Sequence, residues 1–239
     1  MSLGVKSIGK MLVSCAALAT ALALGPIGVG RGDRAGTGPP LAFPDGGAAA
    51  LLSGAAAPLP SAWAGPAGGK AYTTGTAPLR KDPGGAAVGS VTPGTPVAVV
   101  ETRGGDAHVS VDGYSSAGSS AVVSALGQRI TLVTLSAPDQ AQRQTGAETK
   151  DGYGTVWTQV TVSGWVPASA LTADVQTVWN RGRQIYEAHC STCHSLYAAD
   201  QYTANQWPGN LQNMASNGGL AGEDFALVLK YLQTHAKAP

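Results

Sequence analysis

The chain has 239 residues and a formal net charge of +1; 12% of its residues are charged and 44% are hydrophobic. The sequence contains neither a basic stripe nor a block of like charges, so we exclude a nucleic acid or another polyelectrolyte as its partner. It also lacks an internal repeat of fixed period, which excludes a repeat protein.

The N-terminal segment has the pattern of a signal peptide. A short stretch with Lys6 and Lys10 is followed by the apolar run "MLVSCAALATALALG" at 11–25. We predict a signal peptide over 1–24, with a cleavage site that could lie as late as residue 64, and therefore export. The alternative is an uncleaved membrane anchor, because the apolar character continues to about residue 30.

Residues 25–69 consist mainly of Gly, Ala and Pro. Such a composition buries too little apolar surface to offset the entropy of the chain, so we predict a flexible linker here.

Residues 70–172 are rich in Val, Thr, Gly and Ser and alternate apolar with polar positions between Pro and Gly breaks, as short strands do. The order of "APLRKDPGG", "VGSVTPGTPVAVVE" and "GWVPASAL" resembles a bacterial SH3-like barrel. In this interpretation residues 108–145 are an insertion with strands of its own. The segment lacks a Ser/His/Asp set, paired carboxylates or a phosphate loop, so we expect it to dock or position a partner.

The stretch "HCSTCH" at 189–194 contains the two cysteines that follow the predicted signal peptide. A zinc site would need two further ligands at matching spacing, and a thioredoxin-type dithiol would need alternating β and α segments around it. C-x-x-C-H in an exported protein is instead the attachment signature of haem c. We therefore predict one covalent haem bound to Cys190 and Cys193, with His194 as the proximal iron ligand.

Two amphipathic helices flank this motif. Apolar residues recur at steps of three and four over 175–190 and again over 223–237. Helices in this arrangement resemble the class I cytochrome c fold over 174–239. The resemblance implies a crossing of the two helices at Gly182 against Tyr231.

The sixth position of the iron has one main candidate. Met214 lies 20 residues after His194 and is the only methionine beyond the predicted leader. As the distal ligand its thioether would raise the reduction potential, although methionine also serves as a flexible core filler. We take His235 as the reserve ligand and His189 as a surface or pocket-wall residue.

The longest distinctive stretch is "YTANQWPGNLQNM" at 202–214. Together with "CSTCH", "GQRI", "GWVPASALTADVQTVW" and "KYLQTHAK" it resembles the C-terminal half of the pentahaem c-type cytochrome of bacterial trimethylamine N-oxide and S-oxide respiration, over roughly residues 75–238. The resemblance implies a periplasmic electron carrier and a molybdopterin oxide reductase as its partner, with the same four haem residues. It leaves the upstream electron donor undefined. With one C-x-x-C-H, the chain is expected to lack that family's four-haem quinol-oxidising module.

The expected fold class is therefore multi-domain: an SH3-like all-β barrel at 70–172, followed by a small all-α class I cytochrome c domain at 174–239. The expected function is one-electron transfer by a protein that is not an enzyme. Two alternatives stay open: a haem-based redox-sensing or docking protein, and a haem enzyme with a displaceable sixth ligand.

Overall fold

The computed structural model describes residues 68–238, all of which belong to one compact unit. The predicted signal peptide at 1–24 and nearly all of the predicted linker at 25–69 lie outside the described residues. In the part of the chain that is described, no helix has both the length and the apolar character needed to span a membrane.

Ten strands and three α-helices make up this unit. The strands are β1 (Lys70–Thr73), β2 (Ala77–Arg80), β3 (Ala87–Val91), β4 (Pro96–Arg103), β5 (Asp106–Ser116), β6 (Val122–Ser124), β7 (Thr131–Leu135), β8 (Gln142–Lys150), β9 (Val156–Pro167) and β10 (Leu171–Thr172). The helices are α1 (Val175–Cys190), α2 (Trp207–Gly218) and α3 (Gly222–Thr234).

Six of the strands form a closed barrel. Their order around the ring is β5, β6, β7, β3, β2 and β9, and the antiparallel pairing of β9 with β5 closes it. That pairing runs without a break from Asp106 opposite Pro167 to Ser116 opposite Trp157. Strands β4, β1 and β10 continue the sheet from the other edge of β5, and β8 pairs with β9.

The barrel core follows from the two-residue period of its strands. Along β5 the side chains of Ala107, Val109 and Val111 are fully buried, and the residues between them are more exposed. On the partner strand, Val160 and Val162 are buried in the same way. The alternating apolar side chains of these strands therefore point into the barrel and together form one apolar interior.

The helices build a second apolar cluster. Asp174 begins α1 as its N-cap, accepting a hydrogen bond of 2.9 Å from the backbone N–H of Gln176. Trp207, Leu211 and Leu232 are fully buried in the cluster that α2 and α3 share. The cluster is held together by side chains at the helical spacing that the sequence predicts.

Helices α1 and α3 touch at one closely packed point. A Cβ atom added to Gly182 would lie 2.9 Å from Cβ of Tyr231, closer than side chains normally approach. The predicted contact between these two residues is confirmed. Gly182 is therefore required by packing, since any side chain there would push the helices apart.

Polar side chains join the helices to the barrel. Gln233 of α3 donates a 2.8 Å hydrogen bond to the carbonyl of Arg129, and Asn205 accepts one of 2.6 Å from the N–H of the same residue. Glu223 at the start of α3 accepts a 2.6 Å bond from the backbone of Thr76. Ala204, just before α2, is buried in the core cluster of the barrel itself.

The predicted fold class is wrong. The described chain is mostly β-structure, with a closed six-stranded barrel inside a ten-stranded sheet, and its three helices belong to the same compact unit, with α3 bonded to the barrel through Lys230 and Gln233. It is therefore not a barrel followed by a small all-α class I cytochrome c domain. The apolar periods over 175–190 and 223–237 predict two helices, and the structure has α1 and α3 there. A helical period carries no information on what the helix packs against.

The interpretation of residues 108–145 as an insertion is also wrong. These residues form most of β5 and all of β6 and β7, which are half of the closed ring. Removing them would open the barrel. Local alternation predicts that a strand exists, but its neighbours are set by contacts between distant residues.

Candidate haem site

One cavity of about 110 Å³ lies where the C-terminal ends of α1 and α2 meet. All four residues predicted to hold haem line it: Cys190, Cys193, His194 and Met214. The other lining residues are His189, Asn217 and Gly218. The fold therefore brings the thioether of a residue on α2 to the same place as the cysteines and the histidine of the motif.

The end of α1 positions the cysteine motif. Cys190 is the last residue of α1 and is half-buried, and a turn follows directly at 191–193. Cys193 and His194 are exposed, so the cavity is open to solvent on this side. Nδ1 of His194 lies 2.7 Å from the carbonyl oxygen of Ser195, and its ring packs 5.1 Å from that of Tyr197.

Helix α2 positions Met214. Trp207, at its first turn, is fully buried and donates a 2.8 Å hydrogen bond through Nε1 to the carbonyl of Ala199. Leu211 and Ala215 bury the inner face of the helix. Met214 lies beside that face and is half-buried, which leaves its thioether at the cavity wall.

The electrostatics of the thiols argue against a reactive dithiol. Burial raises the pKa of the Cys190 thiol above its usual value, and the neighbouring Cys193 raises it further. Attacking cysteines of dithiol oxidoreductases have the opposite property, a lowered pKa that supplies thiolate at neutral pH. The raised pKa of Cys190 therefore disfavours its thiolate.

The donor set at the cavity fits haem c. Two thiols separated by two residues, an adjoining imidazole and a thioether are the groups that attach such a haem and ligate its iron. All four of these side chains line the same cavity.

Two other histidines are placed away from this cavity. Nδ1 of His235, the reserve ligand, lies 2.8 Å from the carbonyl of Tyr231, and its ring packs edge-on against Trp179. His108 belongs to β5 and packs with its ring 5.0 Å from that of Trp165 on β9. His189, in contrast, lines the cavity, in agreement with its prediction as a pocket-wall residue.

Two residues of the cavity, Asn217 and Gly218, were not predicted from the sequence. The polar contacts that tie the helices to the barrel were not predicted either. The pair Gly218-Gly219 carries a usable signal, because a helix commonly ends at a glycine in the left-handed conformation. Gly219 has that conformation, with φ of 65°, and α2 ends there. No comparable local signal identifies Asn205 or Gln233 as barrel contacts.

Comparison with known proteins also points to haem c. Residues 66–171 match the family model described as the TorC third cytochrome c domain, a match that ends before the "HCSTCH" motif. The cytochrome c-type protein TorY of Escherichia coli O157:H7 is 33% identical over 150 residues, which cover 62% of this chain and 41% of TorY.

Two further relatives agree. TorY of Haemophilus influenzae is 32% identical and matches 52% of this chain and 34% of its own length. TorC of Escherichia coli K12 is 27% identical and matches 63% of this chain and 39% of its own length. The chain thus spans about two fifths or less of these curated relatives. No solved structure matches it.

The matched relatives are c-type cytochromes, the class of protein that carries haem c, and the donor set at the cavity fits that class. Among these proteins, the chain is similar to the cytochrome c region of TorC and TorY. The family resemblance predicted from the sequence is confirmed.

Proposed function

We propose that this chain is a periplasmic monohaem c-type cytochrome that carries single electrons to a molybdopterin N-oxide or S-oxide reductase. The observation that supports this most strongly is the convergence of Cys190, Cys193, His194 and Met214 on one cavity. The names of the relatives, cytochrome c-type proteins, point to the same chemistry.

In this proposal Cys190 and Cys193 attach the haem covalently. Each of the two thiols would hold the haem through one thioether bond to a vinyl group. His194 would hold the iron through its imidazole, as the predicted proximal ligand, and Met214 through its thioether, as the predicted distal ligand. Haem c, when bound, supplies an iron centre that takes up and releases one electron.

A thioether and an imidazole that both ligate the iron would favour electron transfer over catalysis, because they would leave no position for a substrate. The protein's contribution is to hold both ligands and to bury the side of the cavity that faces the helix core. The buried rings of Tyr186 and Trp207, packed edge to face at 6.5 Å, form part of that side, behind the cavity.

The surface around the cavity suits a brief encounter with a partner. Between residues 188 and 222 the sequence contains a single charged side chain, Asp200. Tyr197, next to His194, is 39% exposed and offers an apolar contact there. Electron transfer needs only a small and transient interface, so apolar contact without strong charge pairing is sufficient.

Stopped-flow reoxidation tests the proposal. The full chain, loaded with haem and reduced, is mixed with a purified molybdopterin reductase and its N-oxide or S-oxide. We expect reoxidation that depends on the oxide and is faster than that of an unrelated c-type cytochrome of similar potential. Equal rates for the two cytochromes would contradict the proposed partner. Tight carbon monoxide binding by the reduced protein would contradict an electron carrier with two protein ligands.

A further inference from the structure

We propose that His189 is a positioning residue: its imidazole ties the end of α2 to the end of α1 and thereby holds Met214 at the distal side of the haem. This inference rests on the function proposed above. It assigns His189 a role that differs from ligation.

The central observation is a hydrogen bond between the two walls of the cavity. Nδ1 of His189 lies 2.7 Å from the carbonyl oxygen of Gly218. A carbonyl only accepts, so Nδ1 is the atom that donates the proton. The bond joins the last turn of α1 to the last residue of α2.

The position of this hydrogen bond allows it to influence where Met214 lies relative to Cys190. His189 directly precedes Cys190, which fixes the haem to α1. Gly218 follows Met214 by four residues, so the two lie on the same face of α2, one turn apart. The hydrogen bond therefore connects the covalent attachment point to the turn that presents the distal thioether.

The bond also supplies what the end of a helix lacks. The last four carbonyls of an α-helix have no partner within the helix, and that of Gly218 is among them. The side chain of His189 provides its partner. The first turns of α2 are fixed differently, by the buried Trp207 and Leu211.

Gly218 supports the inference independently. A Cβ atom added there would lie 3.1 Å from the backbone carbonyl oxygen of His189, a tighter approach than side chains usually make. The two helix ends therefore meet almost backbone to backbone. A larger residue would separate them just where Met214 is presented.

The test compares two substitutions of His189 in the haem-loaded full chain. His189→Leu removes the donor. His189→Asn keeps one, because the side-chain amide nitrogen of Asn is attached to Cγ as Nδ1 is in His. The readouts are the weak sulfur-to-iron band near the red edge of the visible spectrum, the reduction potential and carbon monoxide binding.

We expect His189→Leu to lose most of the band, to lower the potential and to bind carbon monoxide with about tenfold higher affinity, as is typical when a residue that orients a metal ligand is lost. His189→Asn should restore most of the band. His235→Leu is the matched control, because His235 also bonds a helix carbonyl but lies away from the cavity. It should leave all three readouts unchanged.

Gly218→Ala probes the same contact without changing His189, and it replaces His189→Leu if that variant fails to fold. It should weaken the band, whereas Gly209→Ala, at an open position of the same helix, should not. An unchanged band in both His189→Leu and Gly218→Ala would overturn the inference, as would an Asn variant as impaired as the Leu variant. A wild-type protein without the band would instead contradict Met214 as a ligand and thus the proposed function.

Discussion

Lys230 of α3 donates a hydrogen bond through Nζ to the backbone carbonyl of Thr131 in β7. Its side chain is buried between helix and barrel, with a relative exposure of 4%. Burial disfavours the charged form and lowers the pKa of Lys230 from its ordinary 10.5 to about 7. The contact between the helices and the barrel is therefore sensitive to protonation.

Lys230→Met should change how the free energy of unfolding depends on pH. The pKa of Lys230 is lower in the folded chain than in the unfolded one, so the unfolded chain binds more protons between about pH 7 and 10.5. The stability of the wild type should rise with pH across this window relative to the variant, by an amount on the order of a few kcal/mol. Urea unfolding of both proteins at about pH 6, 8 and 9.5 measures the difference in the free energy of unfolding. These values lie below and within the pH range between the folded and the unfolded pKa of Lys230. Parallel curves would show that the pKa of Lys230 is not lowered in the folded protein and that its side chain stays charged there.

Gly182→Ala should lower the free energy of unfolding, because the added methyl would lie 2.9 Å from Cβ of Tyr231. We expect a loss of roughly 1–2 kcal/mol after the gain in helix propensity is taken into account. Gly209→Ala is the matched control: it also replaces a helix glycine, but no atom lies within 4 Å of the new methyl. It should be neutral or slightly stabilising. Equal effects at the two positions would argue against a close helix crossing.

Acid–acetone extraction should leave the haem colour with the protein, and the mass should exceed that of the polypeptide by one haem. Cys190→Ser and Cys193→Ser should each lose one thioether bond and give a poorly matured product, since the covalent attachment is weakened. Ser119→Ala changes a residue far from the cysteine motif in sequence and serves as the control, because it should mature and retain haem like the wild type. Free haem in the organic phase from the wild type would contradict covalent attachment.

Met214→Ala should abolish the sulfur-to-iron band, lower the reduction potential and open the iron to carbon monoxide. His235→Ala should leave the spectrum unchanged, because His235 does not line the cavity. Visible spectra and redox titration of both variants distinguish the two candidates. If His235→Ala alters the spectrum and Met214→Ala does not, the distal ligand has been assigned wrongly.

The rate of electron transfer to the reductase should depend only weakly on ionic strength. Strongly steered pairs slow steeply as salt screens their charges, but the stretch around the haem site carries one charged residue, Asp200, in 188–222. Stopped-flow rates between about 20 and 300 mM salt would measure this, a range over which the screening length falls several-fold. Asp200→Asn should change the rate little, whereas replacing the exposed Tyr197 by Ser should lower it. A steep decrease with salt would show that charges elsewhere on the chain guide docking.

Sequence reasoning identified the elements whose signals are local. The apolar period over 175–190 predicted α1 with the bounds that the structure shows, and α3 was predicted at 223–237 against an observed Gly222–Thr234. The attachment motif is likewise local, because two thiols and an imidazole within five residues carry their chemistry wherever the helix lies. Such features depend on neighbours in sequence, which the sequence displays directly.

The assembly of these elements depends on contacts between residues that are distant in sequence. The barrel closes through β5 and β9, which pair residues such as Val111 and Val162 that lie far apart in the chain, and alternation alone names no partner for a strand. The helices join the barrel through Lys230 and Gln233, polar residues whose pattern along α3 resembles that of a solvent-facing side. Burial of these residues depends on a surface that another part of the chain supplies. The cysteines and the histidine of the motif are neighbours in sequence, whereas Met214 comes beside them only through the packing of α2 near the end of α1.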